Sequence, residues 1–221
     1  MPTVNIRIAD IEYDVCIARN LQIKISKFLS EVTKNKKVLI VTDEYFELLY
    51  AKQLKSSLRE YDFDVKLYVM PGGKSSKSFN EALKIFGVLE TEDYARDSTL
   101  IALGGGVIGD LAGFVASTWY RGMNLLHAPT TLMGMVDSSI GGKVAINFRN
   151  TINAVGNYYH PIANYMDIDH IDALPERDYI AGLAEVVKCG LIADNDLLNH
   201  LKINHMSILA RETDHLMYCI K

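Results

Sequence analysis

Short apolar segments alternate with amphipathic ones between residues 20 and 130, and this alternation constrains the fold more than any other feature of the chain. Residues 36–43, 63–70, 98–106 and 124–130 have the composition of strands that are buried on both faces. The segments between them have helical spacing. Because strands joined through helices run parallel, this order predicts an α/β fold with a mostly parallel sheet and helices on both faces.

The two ends of the chain depart from the alternation. TVNIRI and EYDVCIA predict an antiparallel hairpin with Ala9-Asp10 in its turn. The last part of the sequence is compatible with helix throughout. We therefore expect an α/β domain over residues 1–173 and the beginning of an all-helical domain over 174–221. The helical pattern continues to Lys221 without a capping glycine, so we expect that a larger protein has been cut there.

The bulk properties exclude several partners. A formal net charge of −4 over 221 residues gives no general attraction to nucleic acid or to anionic membranes. The three cysteines have no metal-ligand spacing, which favours a reduced compartment. There is neither a signal-peptide pattern nor an apolar run long enough to cross a bilayer. We expect a cytoplasmic protein.

A glycine-rich turn, LGGGVIGD (103–110), follows one of the predicted strands and has the spacing of a dinucleotide-binding loop. Glycines let a backbone approach a pyrophosphate, and the next helix offers free N–H groups; a tight turn without a ligand is the alternative. The acidic residue that an ordinary Rossmann fingerprint places about 20 positions later is missing. An ordinary Rossmann assignment therefore fails, and a Rossmann-like dinucleotide site stays open, with Asp43, at the end of the first α/β strand, as the ribose carboxylate.

Two other glycine-containing segments carry polar side chains. PGGKSSKS (71–78) places Lys77 after a strand, and a solvated basic loop is the alternative interpretation. Residues 128–147 gather a carboxylate, hydroxyls and a lysine beside a Gly-Gly pair, which favours a functional site. Pro129 ends a strand there, so Thr130 or Thr131 is placed to cap the next helix.

Glu185 and Lys188 lie three residues apart on one predicted helix face. The spacing is typical of a surface ion pair. A helical glutamate is also suited to be one ligand of a divalent metal whose other ligands come later in the chain.

The chain resembles the 3-dehydroquinate synthase family. The resemblance rests on LGGGVIGDLAGFVAS, YRG, PTTL, VDSSIGGK, GNYYHP and LPERDYIAGLAEVVK, which occur in the family's order and spacing from about Asp43 onward. It implies a sugar-phosphate cyclase that uses bound NAD and a divalent metal, zinc or cobalt. It also implies an α/β NAD domain, a helical metal domain and a homodimer.

Matched position by position, the resemblance implies a set of site residues. The positions that match NAD contacts are Asp43, Lys77, Gly105, Gly106, Val107, Asp110, Thr130 and Thr131. Asp137 and Ser138 match positions between cofactor and substrate. Arg121, Lys143 and Asn153 match substrate-phosphate positions, with Arg121 reaching across a dimer interface. Lys188 matches a substrate-hydroxyl contact, and Glu185 matches the first metal ligand, whose two histidine partners would lie beyond Lys221.

The reaction implied by the resemblance converts 3-deoxy-D-arabino-heptulosonate 7-phosphate to 3-dehydroquinate and phosphate. NAD oxidises one carbinol, which acidifies the adjacent C–H, so that phosphate is eliminated; the ketone is then reduced and the ring recloses as an aldol. The metal polarises the oxygen that is oxidised and reduced. NAD is regenerated in each cycle, so the net reaction belongs to the carbon–oxygen lyases of aromatic amino acid biosynthesis.

Three positions depart from the family pattern: Lys74 stands where glutamate is usual, Ile152 where lysine is usual, and Ala173 where threonine is common. The first two lie on the cofactor side. Three alternatives therefore stay open: a cyclase of the 2-epi-5-epi-valiolone or 2-deoxy-scyllo-inosose synthase type, a metal-dependent polyol dehydrogenase, and a non-catalytic NAD-binding module.

Overall fold

The computed structural model describes residues 2–221, apart from the side chain of Leu49. Its main sheet has seven strands in the order β1-β2-β9-β6-β5-β3-β4. Only β1 and β2 are antiparallel, and every other pair in this sheet is parallel. A separate antiparallel hairpin consists of β7 and β8. The strands are β1 Thr3–Ile8, β2 Ile11–Ala18, β3 Lys37–Asp43, β4 Asp64–Met70, β5 Thr99–Gly104, β6 Asn124–Pro129, β7 Lys143–Phe148, β8 Thr151–Tyr158 and β9 Ala163–Asp167.

Helices connect the parallel strands and then continue alone to the end of the chain. They are α1 Gln22–Val32, α2 Glu44–Phe46, α3 Lys52–Arg59, α4 Phe79–Thr91, α5 Gly106–Thr118, α6 Asp169–Asp172, α7 Glu176–Ala193, α8 Asn195–Ile203, α9 His205–Leu209 and α10 Thr213–Ile220. A π-helical turn, Glu47–Ala51, joins α2 to α3, and a second one, Gly134–Ser138, follows β6. Within residues 2–221, no helix is both long and apolar enough to cross a membrane.

The centre of the sheet is buried on both faces, as the alternating sequence predicts. Every residue of β5 is buried. Leu100 and Ala102 pack in one apolar cluster with α4 and α5. Ile101 and Leu103, which point to the opposite face, pack in a second cluster with α1 and α3. The predicted α/β class with a mostly parallel sheet is confirmed.

The N-terminal hairpin is also confirmed, with Ala9 and Asp10 between its strands. Its inner strand, β2, adds to the sheet through a parallel pairing with β9. A third apolar cluster joins this hairpin to the C-terminal helices, with Ile17, Tyr179 and Leu216 among its fully buried members. Arg19 strengthens the same junction through Asp169 and Asp172. The division at residues 173/174 stays a prediction, because the apolar packing continues across it.

Three strands are absent from the predicted pattern. β7 begins inside residues 128–147, which we interpreted as a polar, small-residue segment. β8 has no apolar alternation, because each of its residues is exposed or half-buried. β9 has only five residues and is buried throughout. The hairpin of β7 and β8 is the element that matters most for the site described next.

Candidate functional site

The glycine loop lies where β5 ends and α5 begins. Gly104 ends the strand, Gly105 is the N-cap residue, and α5 starts at Gly106. Among the described residues, no side chain caps this 13-residue helix. The backbone N–H groups at the start of an uncapped helix suit an anion, and the helix dipole favours negative charge there. Gly106 and Val107 supply these groups.

The loop is glycine-rich because other side chains come very close to it. A Cβ atom on Gly106 would lie 2.9 Å from Ser138 Oγ, and one on Gly105 would lie 3.1 Å from Thr131 Cγ2. Thr130, next to this loop, is fully buried, and its Oγ1 has no hydrogen-bond partner within the described residues. An unpartnered buried hydroxyl beside free N–H groups fits a bound polar ligand such as a dinucleotide pyrophosphate.

Thr131 has a structural role in addition to its position at the loop. Its Oγ1 accepts a hydrogen bond from Gly134 N at 3.0 Å, so it caps the short helix that ends in the π-helical turn Gly134–Ser138. This confirms Thr131 as the helix cap. The turn carries Asp137 and brings Ser138 against Gly106 of the glycine loop. Their place between cofactor and substrate, which the family resemblance implies, stays a prediction.

Lys77 is buried and forms a polar cluster with the half-buried Asp110 and the exposed Asn153. Its ammonium group donates to Asp110 Oδ2 and to Asn153 Oδ1, and its side chain is only 8% exposed. Burial raises the pKa of the Asp110 carboxyl, while Lys77 opposes that shift and the charge of Asp137 adds to it. The structure thus brings together three residues that the sequence separates widely.

The β7–β8 hairpin packs along α5 and forms one wall of a cleft. A Cβ atom on Gly113 would lie 2.3 Å from Val144 Cγ1, so helix and hairpin are in close contact. A cavity of about 420 Å³ opens between them, lined by Asp110, Lys143 and Asn153 among others. Both predicted phosphate residues of the hairpin, Lys143 and Asn153, therefore face one cavity together with Asp110.

Asp43 ends β3. It therefore lies at the carboxyl ends of the parallel strands, on the same side of the sheet as the glycine loop that follows β5. Its Oδ1 accepts hydrogen bonds from Tyr45 N at 3.1 Å and from Phe46 N at 3.0 Å, so it caps α2. Thr42, immediately before it, is fully buried, and its Oγ1 has no partner within residues 2–221. Sequence reasoning missed Thr42; its signal is a hydroxyl placed before an acidic residue at the carboxyl end of a parallel strand.

Arg121 does not join this group. It follows α5 and precedes β6, so it lies near the amino-terminal ends of the parallel strands, whereas the glycine loop lies at their carboxyl ends. A helix of 13 residues spans ~20 Å at ~1.5 Å per residue. Arg121 is exposed, and both it and Tyr120 have left-handed backbone conformations, with φ of 64° and 48°.

Glu185 and Lys188 form the predicted ion pair on α7. Glu185 raises the pKa of the Lys188 amine, and the charge of Asp137 adds to the shift. Helix α7 packs against the segment before Asp137, since a Cβ atom on Gly182 would lie 2.6 Å from Leu132 Cβ. In the described part of the chain, no group of three histidine, cysteine, aspartate or glutamate side chains is placed to hold a metal. Glu185 by itself does not make a metal site.

The three departures from the family pattern lie on the surface or near it. Lys74 is exposed, in a short 3₁₀ turn before Lys77. Ile152 is 75% exposed on β8. The carbonyl oxygen of Ala173 accepts a hydrogen bond from Tyr45 Oη at 2.8 Å, a contact that links the end of β3 to the start of the helical segment.

Comparison with known proteins identifies relatives for this arrangement. The family model described as 3-dehydroquinate synthase N-terminal matches residues 67–181. A 3-dehydroquinate synthase of Desulforamulus reducens is 41% identical over 96% of this chain, and the chain spans 59% of that relative.

Two solved structures have the same architecture. A 2-epi-5-epi-valiolone synthase from Streptomyces hygroscopicus subsp. jinggangensis 5008, with NAD+ and Zn2+ bound, superposes with a TM-score of 0.86 at 27% identity, covering 97% of this chain and 60% of that one. A 2-deoxy-scyllo-inosose synthase complexed with carbaglucose-6-phosphate, NAD+ and Co2+ has a TM-score of 0.82 at 25% identity, covering 88% of this chain and 53% of that one.

Proposed function

Because this chain belongs to the 3-dehydroquinate synthase family, we propose that it is the NAD-binding part of an enzyme that converts 3-deoxy-D-arabino-heptulosonate 7-phosphate to 3-dehydroquinate and phosphate. The observation that carries this proposal is that two features lie along one helix, α5. The glycine loop with its unpartnered Thr130 hydroxyl lies at one end of α5, and the hairpin with Lys143 and Asn153 packs along the same helix.

The residues around the glycine loop would hold the dinucleotide. The N–H groups of Gly106 and Val107 would bind the pyrophosphate, since they lie at an uncapped helix start. Asp43 uses one carboxylate oxygen to cap α2, which leaves Oδ2 for a ribose hydroxyl. Thr130 would donate its hydroxyl hydrogen to the cofactor, and Ser138 would close the loop from the other side.

The residues of the cleft would hold the substrate. Lys143 and Asn153 would bind the phosphate, which a net charge of −4 does not attract without such a local cation. Asp137 would orient the reacting carbons between cofactor and phosphate, and Lys188 would bind a substrate hydroxyl. Bound NAD supplies reversible hydride acceptance, so that no net redox change accompanies phosphate loss.

We also propose that the complete enzyme binds a divalent ion, zinc or cobalt, and that Glu185 is the one ligand which this chain supplies. That carboxylate would be one ligand, and the remaining ligands would have to come from outside residues 2–221. Two related cyclases with bound Zn2+ or Co2+ support the choice of metals. We accordingly infer that the 221-residue chain binds NAD but does not turn over substrate.

We also propose that the protein is a homodimer in which Arg121 serves the partner's site. Arg121 is exposed and lies at the other end of α5 from the glycine loop, a position that favours contact with a partner subunit. β8 adds support, because its outer edge is unpaired within residues 2–221 and carries the exposed side chains of Ile152 and Tyr158.

We infer a cytoplasmic location. Cys16, Cys189 and Cys219 are all free thiols in the structure, which agrees with a reducing compartment.

Two measurements test the function. Calorimetric titration of the 221-residue chain with NAD is expected to show one binding site per chain, and the absence of heat would contradict the NAD assignment. Phosphate release by a protein that includes the remaining length of the relatives is then assayed with 3-deoxy-D-arabino-heptulosonate 7-phosphate, sedoheptulose 7-phosphate and glucose 6-phosphate, the substrates of the candidate cyclases. Release from 3-deoxy-D-arabino-heptulosonate 7-phosphate supports the proposal. Accumulation of NADH from a polyol would instead identify a dehydrogenase.

A further inference from the structure

The ammonium group of Lys77 has little capacity left for a ligand. A lysine has three N–H donors, and two of them are used by Asp110 Oδ2 on α5 and Asn153 Oδ1 on β8. The side chain is 8% exposed. A buried cation with this geometry holds its two partners together more effectively than it recruits a third group from solvent.

The backbone around Lys77 is tied to the same hairpin. Asn147 N, on β7, donates to Lys77 O at 2.9 Å, and Ser78 forms an isolated parallel bridge with Asn147. Asn147 Oδ1 in turn accepts from Asn153 N at 3.0 Å. The hairpin therefore meets the segment 74–78 through main-chain bonds and through the Lys77 ammonium group.

Asn153 itself interrupts the extended backbone of β8. Its φ of 54° lies in the left-handed region, which asparagine tolerates better than most residues. This conformation places Asn153 N on Asn147 Oδ1 and Asn153 Oδ1 on the Lys77 ammonium group. The irregularity thus turns one strand residue toward the helix that carries the glycine loop.

We propose that Lys77 is a positioning residue that fixes the β7–β8 hairpin against α5, and so sets the distance between the nucleotide loop and the phosphate-binding residues Lys143 and Asn153. The statement about phosphate binding rests on the proposed function, whereas the statement about the hairpin does not. Lys77 thereby couples α5 to the hairpin: a change at Asp110, the fifth residue of α5, is transmitted to β8 through one ammonium group.

Hydrogen–deuterium exchange of the 221-residue chain without ligand tests the positioning role. Lys77→Met is expected to speed amide exchange in residues 143–158 by about tenfold or more, because it leaves Asp110 and Asn153 without their shared donor. Exchange in β3 and β5 is expected to stay unchanged. Lys77→Arg keeps the charge and the donors, and is expected to restore protection of the hairpin. Lys66→Met, which removes an exposed lysine paired with Glu92, is the matched control.

Uniform acceleration across the whole chain, or unchanged exchange in residues 143–158, would overturn the proposal, as would a Lys77→Arg variant as fast as Lys77→Met. If Lys77→Met does not fold, Asn153→Gly keeps the left-handed backbone, removes the amide that accepts from Lys77, and is expected to give the same local acceleration. NAD titration of the unaltered chain is measured separately. If the unaltered chain does not bind NAD, the proposed function is refuted, while the exchange data still test whether Lys77 positions the hairpin.

Discussion

His127 provides a test of how burial beneath the glycine loop controls stability. It lies on β6, is 3% exposed, and contacts the first turns of α5, since its ring would lie 3.5 Å from a Cβ atom on Gly109. Burial lowers the pKa of the imidazole from 6.5 to about 4. The folded protein therefore holds His127 neutral, while the unfolded chain takes up a proton as the pH falls below about 6.5.

The sign and the size of the effect follow from these two pKa values. A lowered pKa in the folded state means that the contribution to stability is complete above the unfolded pKa and is lost as the pH falls toward the folded one. With pKa values of 6.5 and about 4, the free energy of unfolding drops by about 2 kcal/mol between pH 7.5 and about pH 5, and by about 3 kcal/mol once both states are protonated. This is a large share of the ~5–15 kcal/mol that stabilises a typical domain.

Urea unfolding followed by circular dichroism, at pH 7.5 and about pH 5 and constant ionic strength, measures this drop. His127→Gln removes the titrating group, so its stability is expected to fall by about 2 kcal/mol less than that of the unaltered chain over the same interval. Comparing pH slopes, not absolute stabilities, separates protonation from the packing cost of the substitution. Equal slopes in the two proteins would refute the argument, because the other buried groups, including His170, are common to both.

Further substitutions test the site and its frame. Gly106→Ala is expected to weaken NAD binding by about tenfold or more in calorimetry, because its Cβ would lie 2.9 Å from Ser138 Oγ. Gly87→Ala is the control and is expected to bind NAD normally, because, apart from the adjoining helix backbone, no atom of the described residues lies within 4 Å of the new Cβ. Ser78→Ala removes the cap that accepts from Glu81 N and is expected to cost about 1 kcal/mol in urea unfolding; an unchanged midpoint would contradict the capping role. Lys188→Met is expected to leave the thermal midpoint of this chain unchanged while abolishing phosphate release in the longer protein, and retained turnover would exclude it from the substrate site.

The strands and helices of the α/β part were predictable because short stretches of sequence specify each of them. β3 and β5 are short apolar runs, and α4 begins after a capping serine, so both element type and position follow from the sequence alone. β8 was not predictable, since its exposed residues show no alternation and its pairing depends on close contact between Gly156 and Val144 O. In such a strand, tertiary packing determines the extended conformation, and the intrinsic β-propensity of the residues does not.

The site residues follow the same division. The glycine loop, and Thr131 as a helix cap, were recognisable from short motifs, and the structure places them together. The partners of Lys77 were not, because Asp110 and Asn153 lie 33 and 76 residues away along the chain. The outward position of Arg121 likewise depends on the length and direction of α5. Motifs identify which functional side chains a site can contain, and the packing of the helices determines which of these side chains are in contact.

The backbone at Tyr120, Arg121 and Gly122 sets the thermal stability of this turn against the proposed role of Arg121. The first two residues have φ values of 48° and 64°, in a region that costs a residue with a Cβ atom ~1–2 kcal/mol. Glycine at either position would relieve that strain, as it does naturally at Gly122. A library of variants selected only for heat resistance is therefore drawn toward glycine at position 121, where the guanidinium group would be lost. Under the proposed role of Arg121 at the partner's site, selection for that role would keep the guanidinium group and with it the strain of this turn.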